Sequence, residues 1–243
     1  MLQEIKLLIK DLNLKKPYLN DFPDLMKDGV QVFKGFLKED ELKKHKSDFD
    51  SLMSDEKIPK VEVSSDKRIY GVERYNDLFI TEKQKIFISD FNNNVKYFPD
   101  NVHFTLAGEI SSDPGNLGSG GGWHRDSPYT NQFKTIIYLT DVGENNGPFQ
   151  YIRGSHKKSG YKLINKVLKE YDYGENRFSD DEILSIVNNI DGFKISTITG
   201  KAGDLILVNT RGLHRGAPLT EGTRKAVTTY SFRNKIPNKF YKT

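Results

Sequence analysis

The sequence predicts an α+β domain built on a β-sandwich or a partly open barrel. Two observations predict it: from residue 101 onward short β-like runs alternate with turn residues, and before that point apolar residues recur at helical spacing. The chain has 243 residues, of which 36% are hydrophobic and 12% aromatic, enough for a sizeable core. We expect one domain over 1–243, helix-rich in 1–100 and with its β core at about 101–233.

The first hundred residues are expected to form helices and one early strand. Residues 2–12 have a helical pattern, and Val30 to Phe33 has the form of a strand that enters a turn at Gly35. Residues 39–53 carry acids in their first turn, as helices favour. A capping box at 81–84 opens a segment with helical apolar spacing, formed by Phe87, Phe91, Val95 and Phe98.

The rest of the chain is expected to be mainly β. We predict strands over 102–110, 133–142, 149–152, 193–198, 204–209 and 226–232. A polar insertion after the third of these strands predicts two helices, roughly at 161–171 and 180–190. A closed or double sheet would bring strands that are distant in sequence close together in space.

Charge and cysteine content exclude several classes of site. The net charge is +4, from 37 basic and 33 acidic residues, and a short basic tail at 233–243 is typical of a solvated chain end. We therefore expect no nucleic-acid partner. The chain has no cysteine, so disulfides and cysteine-ligated zinc are excluded.

The apolar stretch of the first residues, MLQEIKLLIKDLNLKK, is short and interrupted by charges. It does not match a signal peptide or a membrane span. We expect a cytoplasmic protein that has no membrane partner. The oligomeric state is not indicated by the sequence.

A His-x-Asp triplet and a distant histidine predict a metal site. Side chains two residues apart in a strand point the same way, so His124 and Asp126 can face one ion, and His214 can complete the set. Two histidines and one carboxylate on one face of an ion are typical of non-haem Fe(II) sites that bind O2. Arg224 would add a fixed cation suited to a dicarboxylate. The alternatives are polar loop residues at 124 and 126 and a core histidine at 214.

Several motifs together resemble the phytanoyl-CoA dioxygenase family, whose members are Fe(II)- and 2-oxoglutarate-dependent oxygenases. The resemblance extends from about Asp28 to Phe232. It rests on Asp28 to Leu37, His124-Arg125-Asp126, Asn145 to Pro148 with Gly154-Ser155-His156, Ala202-Gly203-Asp204, and His214 to Pro218 with Arg224. One departure is Arg153, where the family often has proline.

The resemblance implies a double-stranded β-helix, a jelly-roll or cupin-like barrel, with helices packed outside. It implies His124, Asp126 and His214 as iron ligands, and Arg224 as the partner of the distal carboxylate of 2-oxoglutarate. By position in its strand, Thr135 resembles a hydroxyl residue that assists the arginine. Fe(II), 2-oxoglutarate and O2 are the implied cofactor and co-substrates.

The expected reaction is hydroxylation of an unactivated C–H bond in a small polar metabolite, with release of succinate and CO2. Trp123, Tyr129 and Arg215 flank the ligands and are candidates for substrate contacts, with packing or surface placement as the alternative. A non-catalytic cupin-like module that binds a metal or small molecule is the second functional hypothesis. An AlkB-like nucleic-acid demethylase is the third.

Overall fold

The computed structural model describes residues 22–75, 102–113, 115–127, 132–168 and 175–232. The predicted helix at 2–12, the capping box at 81–84 and the basic tail lie outside these ranges. No helix in the described part of the chain is both long and apolar enough to cross a lipid bilayer.

The described elements are four α-helices, one short 3₁₀ turn and twelve strands. The helices are α1 (Pro23–Asp28), α2 (Glu39–Ser54), α3 (Lys158–Val167) and α4 (Asp180–Asn189), and the 3₁₀ turn is Val72–Arg74. The strands are β1 (Val30–Phe33), β2 (Val61–Val63), β3 (Asp66–Tyr70), β4 (Val102–Ser111), β5 (Trp123–His124), β6 (Phe133–Tyr138), β7 (Phe149–Ile152), β8 (Arg177–Phe178), β9 (Ile195–Ile198), β10 (Leu205–Asn209), β11 (His214–Gly216) and β12 (Thr223–Phe232).

The strands form two antiparallel sheets within the described residues. The main sheet has seven strands in the order β1-β10-β6-β12-β4-β3-β2, and the minor sheet has five in the order β8-β5-β11-β7-β9. Apart from β2, β3 and β4, strands that are consecutive in the chain do not pair with each other in either sheet, as in a jelly roll. The predicted double-stranded β-helix with external helices is confirmed.

Two apolar clusters hold the helices against the outer faces of the sheets. On the main sheet, Ile137 and Leu207 belong to the same cluster as Phe49 and Leu52 of α2. On the minor sheet, a second cluster joins Trp123 to α3 and α4 through Ile164, Ile183 and Ile186. The α2 and α4 helices therefore bury one face each, and both begin with acidic residues in the first turn.

A third cluster fills the space between the sheets. It includes Ile206 and Val208 of the main sheet and Phe149 and Ile198 of the minor sheet. The central strands of the main sheet are therefore apolar on both faces, because one face meets this interior and the other meets the helices.

Some predicted boundaries differ from the structure. The β2–β3 hairpin at 61–70 was not predicted, because its strands are short and rich in charged residues. The strand predicted from residue 226 begins at Thr223, since Arg224 and Lys225 conceal the apolar pattern. The helix predicted at 161–171 is α3, which begins at Lys158.

The Gly154-Ser155-His156 turn follows β7 and is hydrogen-bonded to the segment before β11. The Ser155 hydroxyl donates to the Ile152 carbonyl at 2.6 Å and accepts from the Leu213 amide at 2.9 Å. His156 is buried beside Gly29, and burial lowers the pKa of its imidazole to about 4. The folded protein therefore holds His156 neutral in mild acid.

We predict that His156→Gln reduces the acid sensitivity of the fold. Below about pH 6.5 the unfolded chain binds a proton at His156, whereas the folded chain binds it only below about pH 4. The free energy of unfolding therefore falls as the pH falls from about 6.5 to about 4. The full effect of one such group is about 3 kcal/mol. Urea unfolding of metal-free protein at about pH 7 and about pH 4 should show a smaller loss in the variant. An equal loss in both proteins would contradict the prediction.

Candidate metal centre

Strand pairing brings the three predicted ligands together. His214 lies directly opposite His124 in the pairing of β11 with β5. Asp126 follows β5, and its amide donates to the Thr210 carbonyl at 3.0 Å, which keeps it beside the segment that leads to β11. One ligand atom from each of the three residues lies within 4.8 Å of the others.

Both imidazoles have their metal-binding nitrogen available. His124 Nδ1 lies 2.9 Å from the Gly122 carbonyl, and His214 Nδ1 lies 2.9 Å from the Gly212 carbonyl. Because a carbonyl only accepts, each Nδ1 carries the proton and each Nε2 keeps a lone pair. Nε2 of His214 is buried without a hydrogen-bond partner among the described residues, as an open ligand atom would be.

The protonation states also suit a cation. Burial lowers the pKa of His124 to about 4 and that of His214 well below its usual value. Burial alone would raise the pKa of Asp126, but the ammonium charge of Lys134 holds it below its usual range. At neutral pH the site therefore offers two neutral imidazoles and one carboxylate, the forms that bind a metal.

The spacing of the donor atoms fits one ion. Nε2 of His124 lies 4.0 Å from Oδ1 of Asp126. Two ligands of one ion can span at most about 4.2 Å when each bond is about 2.1 Å long, as for imidazole and carboxylate ligands. His124 and Asp126 are thus close enough to bind one divalent cation, and His214 is the third member of the cluster that could hold it.

A glycine-rich loop packs closely against one ligand. Gly120 has a φ of 93°, and a Cβ at this position would lie 2.5 Å from Cε1 of His124. The Ser119 carbonyl accepts from the Gly216 amide at 3.1 Å, and the Arg177 guanidinium donates to the Gly120 carbonyl. Only glycine leaves room for the imidazole here.

The candidate centre opens into a cavity of about 90 Å³ between the sheets. His124 and His214 contribute to its wall, together with Arg224 of β12. The Arg224 side chain is buried and donates to the Gly147 carbonyl. Further lining comes from the inward faces of the main-sheet strands, at Leu106, Gly108, Ile110, Lys134, Ile136, Tyr138, Ala226, Thr228 and Tyr230.

The family model for phytanoyl-CoA dioxygenase (PhyH) matches residues 25–226. The chain belongs to the phytanoyl-CoA dioxygenase family. This assignment agrees with the resemblance noted from the sequence motifs. None of the curated proteins matches the chain in sequence.

Solved structures with the same fold include three iron or 2-oxoglutarate proteins. The epimerase SnoN, in complex with Fe³⁺, alpha ketoglutarate and nogalamycin RO, has a TM-score of 0.65 at 14% identity, covering 95% of this chain and 84% of SnoN. HygX from Streptomyces hygroscopicus, with nickel, 2-oxoglutarate and hygromycin B bound, has a TM-score of 0.54 at 17% identity, covering 85% and 84%. EctD from S. alaskensis with bound Fe has a TM-score of 0.62 at 17% identity, covering 86% and 74%. At these identities the likeness shows the fold alone.

The structure corrects the prediction for Thr135. In this member of the phytanoyl-CoA dioxygenase family, the inward positions of β6 are Lys134, Ile136 and Tyr138, so Thr135 points to the outer face. Its strand partner is Thr229, whose hydroxyl lies 3.4 Å from that of Thr105 in the same outward row. The Thr135 hydroxyl is therefore directed away from the cavity and from Arg224.

The weaker substrate candidates are also displaced from the cavity. Trp123 is buried in the cluster that joins the minor sheet to α3 and α4. Arg215 stacks over the Trp123 ring at 4.7 Å and pairs with Asp180 at 2.9 Å, on the same outer face. Packing, the alternative for both residues, is what the structure shows. Tyr129 lies outside the described residues.

Sequence reasoning missed a cation at the mouth of the cavity. Arg68 of β3 lines the cavity and pairs with Asp66, with Nε 2.8 Å from Oδ1, and its guanidinium also donates to the Ser119 hydroxyl at 3.2 Å. Burial would lower the pKa of Arg68, but Asp66 raises it above its ordinary value. The alternation in Val61 to Val63 before two serines was the available signal for this hairpin.

We predict that Asp126→Ala weakens divalent-metal binding by more than about 100-fold. The substitution removes the only anionic member of the donor set, whereas changes at outer residues of metal sites cost about 10- to 100-fold. Calorimetric titration of the metal-free protein with Mn²⁺ measures the change. Asp141→Ala, at an exposed carboxylate paired with Lys201, is the matched control and should bind as the wild type does. Equal affinity in the Asp126 variant would contradict the assignment.

Proposed function

We propose that this protein is an Fe(II)- and 2-oxoglutarate-dependent dioxygenase that hydroxylates an unactivated C–H bond of a small polar metabolite. One observation carries the proposal: two neutral imidazoles, a carboxylate and a buried arginine converge on the same interior region of the fold. Membership of the phytanoyl-CoA dioxygenase family supports it.

His124, Asp126 and His214 would hold the iron from one side. Iron bound in this way, with 2-oxoglutarate and O2, supplies the oxidising power to break a C–H bond, while 2-oxoglutarate is converted to succinate and CO2. The three side chains would leave a bound ion accessible from the cavity, whose wall includes His124 and His214. The Gly122 and Gly212 carbonyls keep both imidazoles in the ligating tautomer throughout.

Arg224 would bind the distal carboxylate of 2-oxoglutarate. Its guanidinium is planar and stays charged, and two parallel N–H groups match a carboxylate. The side chain is buried, so the ion pair would form in a low-dielectric environment where it is strong. The apolar neighbours Leu106, Ile136 and Ala226 exclude water from the same wall.

A polar small molecule is the substrate class that the outer part of the site supports. The cavity continues into a wider cleft of about 590 Å³ lined by Tyr70, Asn116 and Arg177, among others. These side chains can hydrogen-bond a polar substrate and fix its orientation. Solved structures of the same fold contain hygromycin B in HygX and nogalamycin RO in SnoN.

The reaction is tested without knowing the substrate. The protein, loaded with Fe(II) and given 2-oxoglutarate in air, should release succinate slowly. In O2 enriched with heavy oxygen, each succinate should gain one heavy atom, because one atom of O2 enters the new carboxylate. A cupin-like binding module would release no succinate. A nucleic-acid demethylase would be stimulated by a methylated oligonucleotide, and we expect no stimulation.

We predict that Arg224→Lys raises the KM for 2-oxoglutarate about 10- to 100-fold. Lysine keeps the charge but loses the two-pronged contact, which costs about 1.5–3 kcal/mol. Succinate release at a series of 2-oxoglutarate concentrations measures the change. The control is Thr135→Val, which alters only the outer face of β6 and should leave this KM unchanged. If the KM for 2-oxoglutarate rose in the Thr135 variant and not in the Arg224 variant, the assignment of Arg224 to the distal carboxylate would be wrong.

A further inference from the structure

Lys134 is a buried lysine whose ammonium group faces the candidate metal centre. It lies on the inward face of β6, and only 7% of its side chain is exposed. Its Nζ lies 2.7 Å from Oδ2 of Asp126 and 4.3 Å from the centre of the Tyr230 ring. Lysine is rarely buried to this degree without a specific partner.

Strand pairing on both sides fixes the backbone of Lys134. Lys134 pairs with Val208 of β10 on one side and with Tyr230 of β12 on the other, so its backbone is held at the centre of the main sheet. The strand pairing therefore holds the ammonium within ion-pair distance of the Asp126 carboxylate and over the Tyr230 ring.

The two oxygens of Asp126 have different neighbours. Oδ2 forms an ion pair with the ammonium of Lys134 at 2.7 Å, whereas Oδ1 is the oxygen that lies 4.0 Å from Nε2 of His124. A free carboxylate can bind a cation through one oxygen or through both. An ammonium on one oxygen leaves the other as the ligand atom.

We propose that Lys134 is a positioning residue that keeps Asp126 a one-oxygen ligand. The inference rests on the proposed function. A six-coordinate ion with three protein donor atoms has three positions left, two for 2-oxoglutarate and one for O2. A second oxygen from Asp126 would take one of these positions. Lys134 thus preserves the coordination position that the reaction needs.

The experiment counts the water ligands on bound Mn²⁺ through the relaxation rate of solvent protons. The wild type should hold about three exchangeable waters on the ion, and 2-oxoglutarate should displace two of them. In Lys134→Met the number of water ligands should fall by about a third. Added 2-oxoglutarate should then either displace all the remaining water from the ion or bind more weakly than it does to the wild type. The readout requires neither turnover nor a known substrate.

Controls separate positioning from general damage. Lys225→Met removes a lysine of β12 that pairs with Asp50 and Glu109 on the outer face, and it should match the wild type. Lys134→Arg retains a cation and should restore the water count. Lys134→Leu also removes the ammonium without supplying a polar group or space for water, so it serves if the methionine variant does not fold, and the same fall is expected.

Two kinds of failure remain distinct. If the wild type binds no Mn²⁺, or if 2-oxoglutarate displaces no water from it, the proposed function fails. If the wild type behaves as expected but the Lys134 variants keep its water count, the inference about Lys134 is overturned. A fall in Lys225→Met equal to that in Lys134→Met would also overturn it.

Discussion

The candidate centre depends on the antiparallel register that sets His214 opposite His124. A slip of one residue between β5 and β11 would turn Arg215 inward and carry His214 to the outer face. The same loops that lead into these strands present the Gly122 and Gly212 carbonyls, which hold each imidazole in the ligating tautomer. Register and tautomer together create a donor set from residues far apart in the chain.

The sequence was sufficient where a pattern is local or a motif is long. Alternation within three residues placed His124 and Asp126 on one face, and the buried run at 204–209 located the strand before His214. The alternation of β runs and turns after residue 101 predicted the class of fold, and the combined motifs indicated the family that the match over 25–226 shows.

The rest could not be predicted, because a strand buried on both faces carries no alternation. In β6 the residues from Phe133 to Thr135 are all buried, so nothing in the sequence says which of them points inward. The family resemblance places Thr135 beside Arg224, whereas in the structure Lys134 occupies the inward face. The β2–β3 hairpin was not predicted for a different reason. Its short strands carry little pattern of their own, and the strand that stabilises them, β4, is distant in sequence.

The position of the β2–β3 hairpin at the edge of the main sheet separates two tasks in space. The candidate metal ligands lie on β5 and β11 and directly after β5, and a one-residue slip of either strand would reverse the direction of its side chains. The hairpin, at the edge of the main sheet, brings Asp66 and Arg68 to the entrance of the cavity. An exchange of this peripheral hairpin would therefore alter side chains at the entrance while leaving in place the strands that carry His124 and His214.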